Sequence, residues 1–295
     1  MNREGVCRVS DQGPELSSSS REDSSDFHLY SRVAHLSDVG RRRRNNQDNH
    51  LVLPLDDSTG PPNAGPGTFE TVSGRLLIAV ADGMGGHFGG EVASRMCCEN
   101  LAKEIYDQIH TPPNGQPDPP AALQYAIEAS HRALFAHAQT YAESLTMGTT
   151  LTAVLLHDAR AELAQIGDSR AYLFRAGNLI LLTQDQTIGN QLRRRGEDSS
   201  TVDAHIQDML IQAVGAQEGI EVTMAAVDLE PEDVFLLCSD GLSKVVSAEE
   251  IVDMLELEIG LQEKAAHLVA RANENGGPDN ITVILTEVCQ VESTS

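Results

Sequence analysis

Residues 76–83 read LLIAVADG, six consecutive apolar residues followed by an aspartate and a glycine. A short apolar run of this kind predicts a strand that is buried on both faces. Such a strand would place the carboxylate of Asp82 on a rigid element at the rim of a sheet. Gly83 would permit a sharp turn and leave its backbone carbonyl accessible. Because Asp-Gly is also a common turn dipeptide, one occurrence favours the turn interpretation.

A second stretch repeats this pattern, since residues 234–241 read VFLLCSDG and end in Asp240 and Gly241. Three further aspartates stand beside predicted strands: Asp48 precedes the apolar run 50–55, Asp168 lies between two strand-like runs, and Asp279 precedes the last strand. If five carboxylates from five segments converge, they repel one another unless cations neutralise them. Oxygen ligands without a matching His or Cys suit Mg²⁺ or Mn²⁺ rather than zinc. Spacing alone leaves their convergence open.

The surrounding sequence predicts an α+β protein. Strands are predicted at 76–81, 151–156, 162–166, 171–174, 179–182, 234–238 and 281–286. Helices are predicted at 90–109 and 121–142, with a helix pair over 248–273 that is split near Gly260. Because the helices come in consecutive pairs, this order favours a layered sandwich over a doubly wound parallel sheet.

The composition limits the class of protein. The chain has 295 residues, 40% of them hydrophobic, no Trp and a formal net charge of -23. These values predict an aliphatic core and argue against nucleic acid as a partner. Five cysteines without a C-x-x-C spacing predict reduced thiols and no zinc site. Since neither a signal segment nor a long apolar run is found, we expect a cytoplasmic protein without a membrane partner.

The N-terminal region differs from the rest of the chain. Residues 1–26 are polar and include six serines between Ser17 and Ser25, which predicts a disordered tail. A globular domain is predicted over residues 27–291. Within it, Pro and Gly residues predict surface loops at 56–74 and 111–120.

The acidic segments, taken in order, resemble the protein phosphatase 2C family, also called the metal-dependent PPM phosphatases, in its bacterial form. The matching stretches are 37–40 with 46–48, 82–87, 147–150, 167–172, 182–185, 239–242 and 279–282. They span residues 27–287, nearly the whole predicted globular part. Seven matches in the family's order make the resemblance specific.

The resemblance implies a four-layer αββα sandwich, in which two mainly antiparallel central sheets are flanked by helix pairs. It also implies that Asp48, Asp82, Asp240 and Asp279 surround two cations, that the Gly83 carbonyl is a further ligand, and that Asp82 bridges the metals. Asp168, together with Asp240, matches a third and weaker metal site. Mn²⁺ or Mg²⁺ is the implied cofactor.

The implied reaction is hydrolysis of phosphoserine and phosphothreonine by a water that bridges the two cations. Arg43, five residues before Asp48, falls where the family places its phosphate-binding arginine, although the run Arg41–Arg44 leaves the register open. Some members have a general-acid histidine where this chain has Met84. A metal-bound water would therefore protonate the leaving oxygen.

Several weaker patterns keep two interpretations. The glycine-rich run 83–90 lacks the Gly-Lys-Ser/Thr of a P-loop, so no nucleotide site is predicted. His87 is either a ligand or, more simply, a hydrogen-bonded turn residue. The run Arg193–Arg195 lies where the family has a mobile flap, and it is either a contact for acidic substrates or a solvated helix face.

The leading hypothesis is a monomeric protein serine/threonine phosphatase that acts on the targets of a kinase. One alternative is a phosphatase that is dedicated to a single switch protein of the anti-anti-sigma type. Another is a regulatory module that binds a partner without turnover. Retention of all five acidic positions argues against the regulatory module.

A protein that lacks residues 1–26 should hydrolyse p-nitrophenyl phosphate within about twofold of the full-length rate. The removed segment carries three Arg against six Asp or Glu and cannot supply a packed core. Loss of turnover toward this small ester would show that the tail belongs to the site. Loss toward a phosphoprotein alone would show that it docks the substrate.

Overall fold

The computed structural model describes residues 29–55, 69–71, 74–85, 89–113, 115–140 and 147–290. The predicted tail 1–26, most of the predicted loop 56–74 and His87 lie outside the described residues. Within the described ranges, no helix is long and apolar enough to cross a membrane.

Alternating apolar residues and turn-bounded runs form the strands. They are β1 (Leu29–Asp38), β2 (Asp48–Pro54), β3 (Phe69–Thr71), β4 (Leu76–Met84), β5 (Gly148–Thr149), β6 (Leu151–His157), β7 (Arg160–Ile166), β8 (Arg170–Arg175), β9 (Asn178–Leu181), β10 (Thr223–Asp228), β11 (Val234–Cys238) and β12 (Ile281–Gln290). The helices are α1 (Gly89–His110), α2 (Pro119–Thr140), α3 (Ile188–Arg194), α4 (Ala204–Gln207), α5 (Asp240–Ser243), α6 (Ala248–Leu255) and α7 (Leu261–Glu274).

The described strands form two sheets in which every pairing is antiparallel. One sheet has the order β3-β1-β12-β11-β8-β9, and the other has the order β10-β7-β6-β4-β2, with β5 joined to β4. We call them the first and the second sheet.

Three apolar interfaces hold the layers together. Side chains from both sheets, such as Phe235 and Ile78, meet in the central interface. The outer face of the second sheet packs on α1 and α2, where Leu101 and Leu123 are fully buried. The outer face of the first sheet packs on α6 and α7, with Ile251 and Leu268 at the contact. The four layers therefore follow the order αββα.

The location of strand β4 between two apolar layers explains why its sequence is continuously apolar. Leu76, Ile78 and Val80 belong to the central interface, while Leu77 and Ala79 face α1 and α2. Because successive side chains point to opposite faces, a strand that is covered on both sides needs apolar residues at every position.

The predicted α+β sandwich is confirmed, and most predicted elements lie within a few residues of the observed ones. The helix pair does break at Gly260, which precedes the first residue of α7. The predicted strand list missed β1, β3, β5 and β10, and β10 has one buried residue, Val227, and two alanines. Asp82 was expected to follow the end of a strand, but β4 continues through it to Met84 because residues 83 and 84 pair with β5.

Candidate metal centre

The second sheet places two of the five aspartates face to face. Asp48 is the first residue of β2, and it lies directly opposite Asp82 in the antiparallel register with β4. The backbone of Asp82 is held on its other side, since its N–H donates to Thr150 Oγ1 (2.9 Å) and its C=O accepts from Thr150 N–H (2.8 Å). The two carboxylates therefore project from neighbouring strands at one rim.

The first sheet brings Asp240 and Asp279 to the same rim. Ser239 follows β11 and Thr282 lies near the start of β12, and the Ser239 N–H donates to the Thr282 C=O (3.1 Å). Both hydroxyls donate to Asp48 Oδ2 at 2.7 Å. These bonds connect the two sheets at the point where the acidic segments meet.

Asp168 reaches the rim from the turn between β7 and β8. Its neighbour Ser169 is fully buried and shares a 2.7 Å hydrogen bond with Thr150 Oγ1. This bond links the turn to the residue that fixes the backbone of Asp82. All five predicted aspartates therefore belong to segments that are connected at one rim of the sandwich.

Both Asp-Gly pairs need glycine because the backbone packs closely there. This corrects the prediction that glycine permits a sharp turn. A Cβ on Gly83 would lie 2.1 Å from the Gly90 carbonyl oxygen, and a Cβ on Gly241 would lie 1.9 Å from that of Asn280. Neither glycine has a positive φ. Backbone approach at the rim, and not a sharp turn, therefore requires these residues.

Among the residues that the structure describes, two basic side chains contact the acidic cluster. Arg43 Nη2 lies 2.6 Å from Asp279 Oδ2. Lys244 Nζ lies 2.6 Å from Asp240 Oδ2 and 3.6 Å from Asp168 Oδ2. The five carboxylates thus outnumber the cations that contact them, and the cluster keeps an excess of negative charge.

The loop that carries Arg43 is fixed by the segment before β12. Asn280 Nδ2 donates to the carbonyls of Val39 (2.9 Å) and Asn45 (3.0 Å). The backbone N–H groups of Arg41 and Arg42 donate to the Gly277 carbonyl. Within the run 41–44, this arrangement directs the Arg43 guanidinium to the cluster.

Burial and mutual repulsion make the cluster costly to ionise. Loss of hydration raises the pKa of Asp48 to about 7, although the Ser239 and Thr282 hydroxyls oppose the shift. Burial, together with the charge of Asp48, raises the pKa of Asp82 well above its usual range. Burial and Asp240 raise the pKa of Asp168 to about 6. An added cation would favour the ionised form of each group.

The residues fit a hard divalent cation by their chemistry. The donors are carboxylate oxygens, and Asp240 Oδ1 is buried without a hydrogen-bond partner. In the described residues, no three acidic, histidine or cysteine side chains are already grouped as the ligands of one ion. In the metal-free protein, Asp279 is paired with Arg43 and Asp240 Oδ2 is paired with Lys244.

Sequence reasoning missed the residues that support the aspartates. Ser239, Thr282 and Thr150 position Asp48 and Asp82 through their hydroxyls, and Asn280 positions the Arg43 loop. Three of them lie within three residues of a predicted aspartate. Lys244 stands four residues after Asp240, and this helical spacing could have indicated the ion pair.

A groove of about 500 Å³ lies beside the cluster. Its lining includes Arg194, Arg195, Gln186 and Ile211. Gln186 joins the groove to the acidic rim through two hydrogen bonds with Gly167. Its side-chain oxygen accepts from the Gly167 N–H (2.7 Å), and its backbone N–H donates to the Gly167 carbonyl (3.0 Å). The two arginines thus share a groove with the residue that contacts the turn of Asp168.

Comparison with known proteins places this geometry in a family. A family model described as Protein phosphatase 2C matches residues 50–285. The serine/threonine phosphatase Stp of Listeria welshimeri is 33% identical over 261 residues, which cover 85% of this chain and 93% of that protein.

Solved structures agree in fold. The S. agalactiae serine/threonine phosphatase aligns with a TM-score of 0.74 at 30% identity, covering 87% of this chain and 99% of that chain. The catalytic domain of the phosphatase PstP, solved in complex with two manganese ions, aligns with a TM-score of 0.70 at 34% identity, covering 88% of this chain and 99% of that chain.

The raised pKa values predict how pH changes the stability of the metal-free protein. Between the ordinary value of 3.8 and about 7, folded Asp48 keeps a proton that the unfolded chain releases. The free energy of unfolding should therefore fall as pH rises through this window, by up to about 1.4 kcal/mol per pH unit for each such carboxyl. Urea unfolding in EDTA at several pH values measures this slope.

Asp48→Asn should flatten the slope, because the amide cannot ionise. Asp253→Asn removes an exposed carboxylate on α6 and should leave the slope as in the wild type. Equal slopes in all three proteins would mean that Asp48 is not desolvated.

Proposed function

Because the chain belongs to the protein phosphatase 2C family, we propose that the rim formed by Asp48, Asp82, Asp168, Asp240 and Asp279 is its active centre. The protein is a metal-dependent serine/threonine phosphatase, and its substrates are phosphorylated proteins. Residues 27–291 form one catalytic domain in this proposal. The observation that carries it is the placement of Asp48 directly opposite Asp82, at a rim where three more aspartates converge.

The aspartates divide into ligands of two strong sites and one weaker site. Asp48, Asp82, Asp240 and Asp279 would hold two divalent cations, Mn²⁺ or Mg²⁺, with the Gly83 carbonyl as a further ligand. Asp168 and Asp240 would hold a third and weaker one. The oxygen-only donor set and the unpartnered Asp240 Oδ1 support this assignment.

When bound, the two cations supply a water of lowered pKa for in-line attack on phosphorus. Attack would form a bond from the water oxygen to phosphorus and break the bond between phosphorus and the serine or threonine oxygen, which would take up a proton from a second water. The Arg43 guanidinium, which is half-exposed beside Asp279, binds two phosphate oxygens and offsets their growing charge. Hydrogen bonds from Ser239 and Thr282 keep Asp48 oriented throughout.

The groove beside Asp168 receives the protein part of the substrate. In a chain with a formal net charge of -23, the lining carries Arg194 and Arg195 against one carboxylate, Asp185, which is already paired with Arg170 (2.6 Å). Gln186 and Ile211 add amide and apolar contacts. The groove is therefore suited to an acidic peptide segment that flanks the phosphorylated residue.

We further propose that the protein acts as a monomer in the cytoplasm on targets of a serine/threonine kinase. Its acidity supports the exclusion of nucleic acid as a partner. No membrane partner is included in the proposal.

Asp82→Asn and Asp240→Asn should each reduce p-nitrophenyl phosphate turnover in Mn²⁺ to less than about a tenth of wild type, a loss of at least ~1.4 kcal/mol in transition-state stabilisation. Each change removes a charge that the cations need, and it does so at the rim and outside the apolar core. Chelation with EDTA should abolish the wild-type activity, and okadaic-acid-type inhibitors should not affect it.

Asp253→Asn, which removes an exposed carboxylate on α6, is the matched control and should keep full activity. Circular dichroism verifies the fold of each variant. Wild-type turnover that survives exhaustive chelation would refute the metal-dependent centre. A folded wild-type protein that binds phosphoprotein without any turnover would instead favour a regulatory module.

The double variant Arg194→Gln/Arg195→Gln should raise KM for an acidic phosphopeptide about two- to thirtyfold, since each of the two exposed ion pairs contributes about 0.2–1 kcal/mol. The kcat for the phosphopeptide should not change, because the groove is proposed to bind the peptide and not the reacting phosphate. The rate with p-nitrophenyl phosphate should not change either, because this ester carries no peptide segment. Arg193→Gln removes the same charge from a neighbouring residue that does not line the groove, and is the control. Equal effects of these variants would refute a specific role of the groove.

A further inference from the structure

Lys244 occupies a position among the acidic segments that the two-cation centre does not explain. It caps the short helix α5, which begins at Asp240, and its backbone N–H donates to the Asp240 carbonyl (2.9 Å). Its ammonium nitrogen lies 2.6 Å from Asp240 Oδ2 and 3.6 Å from Asp168 Oδ2. One side chain thus contacts both carboxylates that face the third metal position.

We propose that Lys244 is an internal cation that competes with a third divalent ion for Asp168 and Asp240. This inference rests on the proposed active centre, because it takes the two stronger sites as given. The ammonium supplies the positive charge that this carboxylate pair needs when no third ion is bound. The occupancy of the third position is therefore set by the chain's own lysine as well as by the metal concentration.

The contacts favour competition over permanent exclusion. The Asp168 side chain is only 8% exposed, whereas that of Lys244 is 42% exposed. The carboxylate is therefore held in place by the protein, while the flexible four-carbon lysine stem can swing into solvent. An ammonium and a divalent cation repel each other at the same pair of oxygens, so a third ion binds only when Lys244 withdraws.

The two basic side chains act at opposite parts of the rim. Arg43 pairs with Asp279, and Lys244 pairs with Asp240 and Asp168. Gly167, next to Asp168, is hydrogen-bonded to Gln186 of the groove. The cation at Asp168, whether lysine or metal, therefore stands where the metal centre meets the proposed peptide groove.

Mn²⁺ binding to the metal-free full-length protein tests this inference. Equilibrium dialysis and calorimetric titration would compare the wild type with Lys244→Met, which keeps the aliphatic stem but removes the charge. We expect two stronger sites in both proteins. The third Mn²⁺ should bind Lys244→Met at least about tenfold more tightly.

Further variants separate the effect of the Lys244 charge from the effect of losing its side chain. Lys244→Arg keeps the positive charge and should bind the third ion as weakly as the wild type. Lys244→Met/Asp168→Ala should lose the gain, because the pair of carboxylates is broken. Lys264→Met is the matched control, since the Lys264 ammonium donates to the Leu255 carbonyl and contacts no carboxylate of the rim. Lys244→Gln replaces Lys244→Met if the methionine variant does not fold.

Two results would overturn the inference, and they differ in what they leave standing. If the third-ion affinity of Lys244→Met stays within about twofold of wild type while both stronger sites persist, Lys244 does not compete and the proposed centre survives. If the wild type binds no pair of ions tightly, the proposed centre fails and this inference fails with it.

Discussion

The repulsion among five aspartate side chains at one rim is the constraint on which the local structure depends. Asp48 and Asp82 lie opposite each other on adjacent strands, where loss of hydration already disfavours their ionised forms. Side chains around them reduce this cost. Ser239 and Thr282 donate hydrogen bonds to Asp48, and basic residues pair with the carboxylates at the edges. The cost that remains would be offset by divalent cations, as the proposed metal centre requires.

Such a cluster persists only on a rigid support, because its members would otherwise move apart. Three apolar interfaces provide that support by fixing both sheets between helix pairs. Close backbone contacts at Gly83 and Gly241 then set the spacing of the acidic segments, since any side chain there would separate them. The stability of the sandwich is thus used to hold charges that are unfavourable next to each other.

The basic residues distinguish two parts of the proposed centre. Arg43 lies beside Asp279 and is the proposed phosphate ligand, and Lys244 contacts both Asp240 and Asp168. The groove lined by Arg194 and Arg195 is connected to the turn of Asp168 through the hydrogen bond between Gln186 and Gly167. In a strongly acidic protein, these few cations mark the places where an anionic substrate can approach without strong repulsion.

The sequence by itself determined the elements and the family. Continuous apolar runs such as 76–81 predicted central strands, and the ordered acidic motifs predicted the phosphatase family and its αββα layers. Strands β1, β3, β5 and β10 were not predicted: β3 and β5 have only three and two residues, and β10 is an edge strand with two alanines and one buried valine. Only the tertiary structure decided the register that sets Asp48 against Asp82, the contact of Arg43 with Asp279 and the position of Lys244. Periodicity records which faces of an element are buried, whereas these contacts join residues that are distant in the chain and depend on how strands pair and sheets pack.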